Sequence, residues 1–93
     1  MIESFKCKET EKIFSRQYSR KLPADIQTVA FRKLRMLNRS STLQDLRVPP
    51  ANRLEALSGN RKGQHSIRIN QQWRLCFKWE NGNAQEVEII AYH

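Results

Sequence analysis

The chain has 93 residues, 39% hydrophobic and 28% charged, with seventeen Lys and Arg against nine Asp and Glu for a net charge of +8. That balance excludes an intrinsically disordered chain, and the length suits one domain, 1–93, near the lower limit for burying its own core. No apolar run approaches the ~20 residues of a membrane span and the charged start lacks a signal-peptide apolar segment, so a cytoplasmic protein without membrane contact is expected.

Residues 1–7 read as a short edge strand around Phe5. Residues 10–18 follow with apolar positions at Ile13, Phe14 and Tyr18, a spacing that predicts a short amphipathic helix. Lys21-Leu22-Pro23-Ala24-Asp25 reads as a second helix start, because proline is tolerated in a first turn and a carboxylate suits the positive end of the helix dipole. From there Ile26, Val29, Ala30, Leu34 and Leu37 recur at i, i+3, i+4, i+8 and i+11, one stripe of a helix. Arg32, Lys33, Arg35 and Arg39 sit mostly off that stripe, so they are either solvated or in contact with RNA. The first fifty residues hold eleven basic and five acidic side chains, the remainder six and four. A polyanionic partner is expected from the excess.

Residues 38–41 end this helix, Leu43 to Leu46 is at most one turn, and Pro49-Pro50 bars a helix or central strand. Residues 53–57 read as a strand and 58–63 as a loop. In the next stretch His65, Ile67 and Ile69 alternate against Ser66, Arg68 and Asn70. Trp73, Leu75, Phe77 and Trp79 then alternate against Arg74, Cys76 and Lys78. Asn81-Gly82 is a hairpin signal, because a type I′ turn requires positive φ at both central residues. Val87, Ile89 and Ala91 mark the last strand. The predicted order β-α-α-β-β-β-β is an α+β domain, two N-terminal helices packed on one face of a mainly antiparallel sheet of four to five strands.

Such a layout turns Ser66, Arg68, Asn70, Arg74, Cys76 and Lys78 away from the helices, onto an uncovered basic face where RNA can lie. Glu80, Glu86 and Glu88 read as exposed sheet charges, and His65, on the apolar side, as structural or a substrate contact rather than catalytic. Cys7 and Cys76 lack ligand spacing and a placed base, so they read as small hydrophobes, and neither a metal nor another cofactor is expected.

Leu57-x-Gly59-x-Arg61-x-Gly63-x-x-Ser66-Ile67-Arg68-Ile69, the Trp73-Arg74 pair and the Tyr92-His93 ending together resemble HigB-type toxins of the RelE/ParE superfamily of type II toxin–antitoxin systems. The resemblance covers nearly the whole chain. It implies a RelE-like fold and a metal-independent mRNA endonuclease that acts on the 70S ribosome, inhibits translation and is neutralised by a HigA-like helix-turn-helix antitoxin. The superfamily also has ParE branches that act on DNA gyrase without cleaving nucleic acid, which is the alternative reading.

Carried over position by position, Glu55 stands where the YoeB branch holds a general-base glutamate and many HigB proteins a histidine. Arg74 matches the arginine that stabilises the reacting phosphate, and Tyr92 and His93 match the Tyr-His pair of HigB. Arg61, Lys62, Arg68 and Lys78 are the remaining candidates for holding RNA phosphates, since arginine grips phosphate oxygens bidentately. Two positions depart from the family pattern: Ala91 replaces a frequent acidic residue, and Ser58 a frequent lysine. Cleavage from a 2′-hydroxyl needs a base, an acid and a cation at the phosphate. Glu55 as base and His93 as acid, or the reverse, fit the same residues.

Overall fold

The computed structural model describes residues 1–92. Helix α1 spans Lys8–Phe14 and α2 Ala24–Arg39, and the strands are β1 (Glu55–Ala56), β2 (Gln64–Arg68), β3 (Trp73–Glu80) and β4 (Asn83–Ala91). The four strands form one sheet in the order β1-β2-β3-β4, with every neighbouring pair antiparallel. Three short 3₁₀ segments, Leu43–Arg47, Pro50–Asn52 and Gly59–Arg61, lie in the connections around β1.

The predicted helical stripe is the one that packs. Ile26, Ala30, Leu34 and Leu37 of α2 are buried, and with Ile13 and Leu46 they meet Ile67, Ile69, Leu75, Phe77, Ala84, Val87 and Ile89 of the sheet. Removing this apolar surface from water is the main force holding the helices on that face. Pro23 caps α2 from just outside it, and Asp25 lies in its first turn.

α1 is shorter and earlier than its spacing predicts. The chain turns into the left-handed region at Arg16 (φ 64°), so Tyr18 leaves the helix and is exposed. Gln27 then bonds both the amide and the carbonyl of Ser19, whose hydroxyl donates to Glu9. Residues 1–7 make no full strand either. They add two isolated parallel bridges to the outer edge of β4, Ile2 with Ala84 and Phe5 with Val87. Ser4 joins there at a bulge, accepting the amide of Glu86 (φ 51°) on its hydroxyl and that of Val87 on its carbonyl. The bulge lets Ala84, Val87 and Ile89 all face the core despite their uneven spacing. The β3–β4 turn is the predicted one, with Asn81 at φ 52° and Gly82 at φ 77°.

The strand expected over residues 53–57 shrinks to Glu55–Ala56 because Asn52 closes a 3₁₀ turn and Arg53 adopts a left-handed conformation (φ 46°, ψ 56°). That bend decides where the polar side of the sheet places its charges.

Candidate active site

Register assembles the polar face. Glu55 pairs with Ser66, Ser66 with Cys76 and Cys76 with Glu88, so these four residues form one rung across the four strands. The adjacent rung on β2, β3 and β4 is Arg68, Arg74 and Ile90. Directly paired residues project from the same side of a sheet, so both rungs share a face.

Arg74 is the centre of this arrangement. Its Nε donates to Ser66 Oγ at 2.8 Å, and its Nη2 donates to the carbonyl oxygen of Arg53 at 2.8 Å. Glu55 Oε1 lies 3.6 Å from Nη2, and the Tyr92 ring centre lies 5.4 Å from Cζ. The residue is only 9% exposed and Ser66 is wholly buried. Among the described residues no hydrogen bond engages Nη1 of Arg74. A guanidinium held at Nε and Nη2 is a cation with a fixed plane and an edge left for an anion.

Glu55 is half exposed, so its carboxylate reaches solvent beside that cation. Tyr92 is 39% exposed, and its amide donates to the carbonyl of Gln72 in the β2–β3 connection. Asn70, Gln71, Gln72 and Tyr92 border a shallow polar recess there. Glu55, Arg74 and Tyr92 are therefore brought together from residues up to 37 positions apart in sequence. His93 lies outside the described residues.

The phosphate-binding candidates are placed unequally. Arg68 pairs with Arg74 across β2 and β3 and uses its Nε on the carbonyl of Asn70 at 3.1 Å. Lys62 is exposed at the end of the 58–63 loop. Arg61 turns onto the sheet face, where its Nη1 donates to Glu88 at 2.9 Å and to Gln64 at 3.2 Å. Lys78 lies four residues along β3 from Arg74, about 13 Å at the usual strand rise, and pairs with Glu86 at 2.7 Å. That hydrogen bond holds the Lys78 ammonium above its usual range and the Glu86 carboxyl below its own.

Two expectations are corrected. The polar face is not uncovered: Ser66 and Cys76 are fully buried and Arg74 nearly so, with Arg61 of the 58–63 loop reaching over the face to Glu88 and the Tyr92 ring centre 5.4 Å from Arg74 Cζ. Nor is Glu88 an exposed sheet charge, since its side chain is 15% exposed and meets both Arg61 and Lys6. Burial pushes the Cys76 thiol beneath this bridge up to about 11. His65 lies on the core side, its ring stacked 6.2 Å from that of Phe77.

Sequence reasoning passed over two groups that hold Arg74. The alternation that placed Ser66 and Arg74 on one face was a usable signal for the first. No side-chain pattern marks the second, the main-chain carbonyl of Arg53.

Comparison with known proteins agrees with this architecture. The family described as RelE-like toxin of type II toxin–antitoxin system HigB matches residues 3–93. Toxin HigB-1 of Vibrio cholerae is 44% identical over 85 residues, covering 90% of each chain. Endoribonuclease HigB of Proteus vulgaris is 30% identical over 94 residues, covering the whole of both. A toxin–antitoxin structure from Staphylococcus aureus, a heterotetrameric YoeB-YefM complex, contains a chain that superposes with a TM-score of 0.60 at 19% identity, covering 100% of this chain and 98% of that one. The chain belongs to the HigB family of RelE-like toxins from type II toxin–antitoxin systems.

Proposed function

We propose that this toxin is a metal-independent endoribonuclease that cuts mRNA on the 70S ribosome and is neutralised by a HigA-like helix-turn-helix antitoxin. The observation that carries the reading is the buried, doubly anchored guanidinium of Arg74 beside a solvent-reaching carboxylate. Preorganised donors aimed at developing charge are usually the largest single contribution to such a reaction. The endoribonuclease name of the Proteus vulgaris relative supports the same chemistry.

In the proposed reaction the 2′-oxygen of the RNA attacks the adjacent phosphorus and the bond to the 5′-oxygen breaks. A base removes the 2′ proton and an acid protonates the departing 5′-oxygen, leaving a 2′,3′-cyclic phosphate and a 5′-hydroxyl. Arg74 holds the phosphate oxygens as negative charge grows on them. Glu55 and His93 divide the base and acid roles, with Tyr92 stacked against Arg74 at the rim. Arg68 and Lys62 are the cations placed to meet flanking phosphates, while Arg61 and Lys78 would first have to loosen their pairs with Glu88 and Glu86. The cytoplasm, where ribosomes and mRNA meet, is the site of action.

Mapping of 5′ ends on a defined mRNA, with and without programmed ribosomes, tests the reading. In-frame cuts that need ribosomes and disappear in Arg74→Ala and His93→Ala are expected. Arrested growth with intact mRNA would instead favour a ParE-like action on a protein target such as DNA gyrase.

A further inference from the structure

Asn52 is a fully buried polar side chain with more partners than a loop residue needs. Its amide nitrogen donates to the carbonyl oxygens of Leu46 at 3.0 Å and Val48 at 3.4 Å and lies 3.1 Å from the Met36 sulfur. Its Oδ1 accepts from Nζ of Lys33 on α2, an ammonium whose pKa burial lowers and the neighbouring Arg32 lowers further. One side chain thus ties α2 to both sides of the Pro49-Pro50 bend.

The next residue is Arg53, left-handed at φ 46° and ψ 56°. A non-glycine residue persists there only where its surroundings hold it. Its carbonyl is the acceptor for Arg74 Nη2. With the Ser66 contact alone, the Arg74 guanidinium could pivot about its Nε–H bond. The second contact, at Nη2, fixes the plane and aims the Nη1 edge.

We infer that Asn52 is a positioning residue of the nuclease site: it anchors the bend to α2 and so holds the Arg53 carbonyl that orients Arg74. This rests on the reading of Arg74 as the phosphate-holding residue. Asn52 makes its side-chain contacts with Lys33, Met36, Leu46 and Val48 and acts on Arg74 only through the Arg53 carbonyl.

The test is cleavage of mRNA on programmed ribosomes at saturating toxin, comparing wild type, Asn52→Ala, Arg74→Lys and the double variant. Misplacing a catalytic group by about 1 Å costs up to ~100-fold in rate, so Asn52→Ala should lower the maximal rate ~10- to 100-fold with half-saturation changed by less than ~3-fold. In the Arg74→Lys background, where no Nη2 remains to orient, the same substitution should add less than ~2-fold. Asn52→Asp keeps the shape and the Lys33 contact while losing the donors to Leu46 and Val48. It should show the same split, and it carries the test if Asn52→Ala does not fold. Fully additive losses, or a rate loss explained by the unfolded fraction seen in thermal melts, would overturn the inference. Arg74→Lys cleaving at the wild-type rate would overturn the site reading itself.

Discussion

Ser66 shows how much a single hydroxyl can decide. It sits wholly buried between Glu55 and Cys76 and accepts the Nε–H of Arg74 at 2.8 Å. A hydrogen bond to a charged group contributes about 1.5–3 kcal/mol, so Ser66→Ala should lower kcat/KM by about ten- to a hundredfold. Steady-state or single-turnover cleavage measures this, and a variant as fast as wild type would show that the Arg53 carbonyl suffices. Cys76 gives a second test at this scale. Its thiol is inaccessible and raised by burial to about 11, whereas Cys7 is partly exposed. Only the thiolate reacts appreciably with alkylating reagents. Mass spectrometry after brief alkylation at pH 8 should therefore find Cys7 modified and Cys76 intact, both becoming modified in denaturant.

At the scale of elements, α2 is the support on which the sheet is laid. Leu34 on its buried stripe is wholly enclosed, and replacing such a leucine by alanine costs ~2–5 kcal/mol. For a chain of this size each kcal/mol lowers Tm by about 4–8 °C, so calorimetry of Leu34→Ala should show a large drop, or no native protein. The 58–63 loop depends on a different force. Its position over the sheet is held by the Arg61–Glu88 pair, with side chains 33% and 15% exposed. Partial exposure weakens the attraction, so Glu88→Gln should destabilise by only about 1–2 kcal/mol. The informative readout is the loop: hydrogen exchange at residues 59–63 should quicken while α2 stays protected. Unchanged exchange there would mean that the backbone, and not the ion pair, sets the loop.

Across the whole molecule the charge of +8 is spread over both faces, with Arg32, Lys33, Arg35 and Arg39 on α2 and Lys62, Arg68 and Arg74 on or beside the polar sheet face. Binding of a short single-stranded RNA should release counterions. If about three phosphates are neutralised, the slope of log K against log salt is about −2, and tripling the salt weakens binding roughly tenfold. Filter binding between 100 and 300 mM salt, approximate working concentrations at which screening is already strong, gives the slope. A slope near zero would remove the basic surface from RNA recognition.

Local chemistry was legible from the chain alone wherever it acts between near neighbours. The α2 stripe, the strand alternations from His65 to Trp79, the Asn81-Gly82 turn and the α+β order all follow from helical or strand period and turn geometry, because burial and backbone sterics impose those patterns residue by residue. The motif residues likewise pointed to the HigB family. What required the tertiary structure was everything set by register and by main-chain groups. Whether Glu88 is exposed or clamps Arg61 depends on where a loop 27 residues earlier folds back. The bulge at Glu86 and the left-handed Arg53 are met by hydrogen bonds from distant partners, Ser4 and Arg74. The composition of the polar face was readable in the sequence; its closure over Cys76 and the anchoring of Arg74 were not, because an ion pair from the 58–63 loop to β4 and a backbone carbonyl leave no periodic trace.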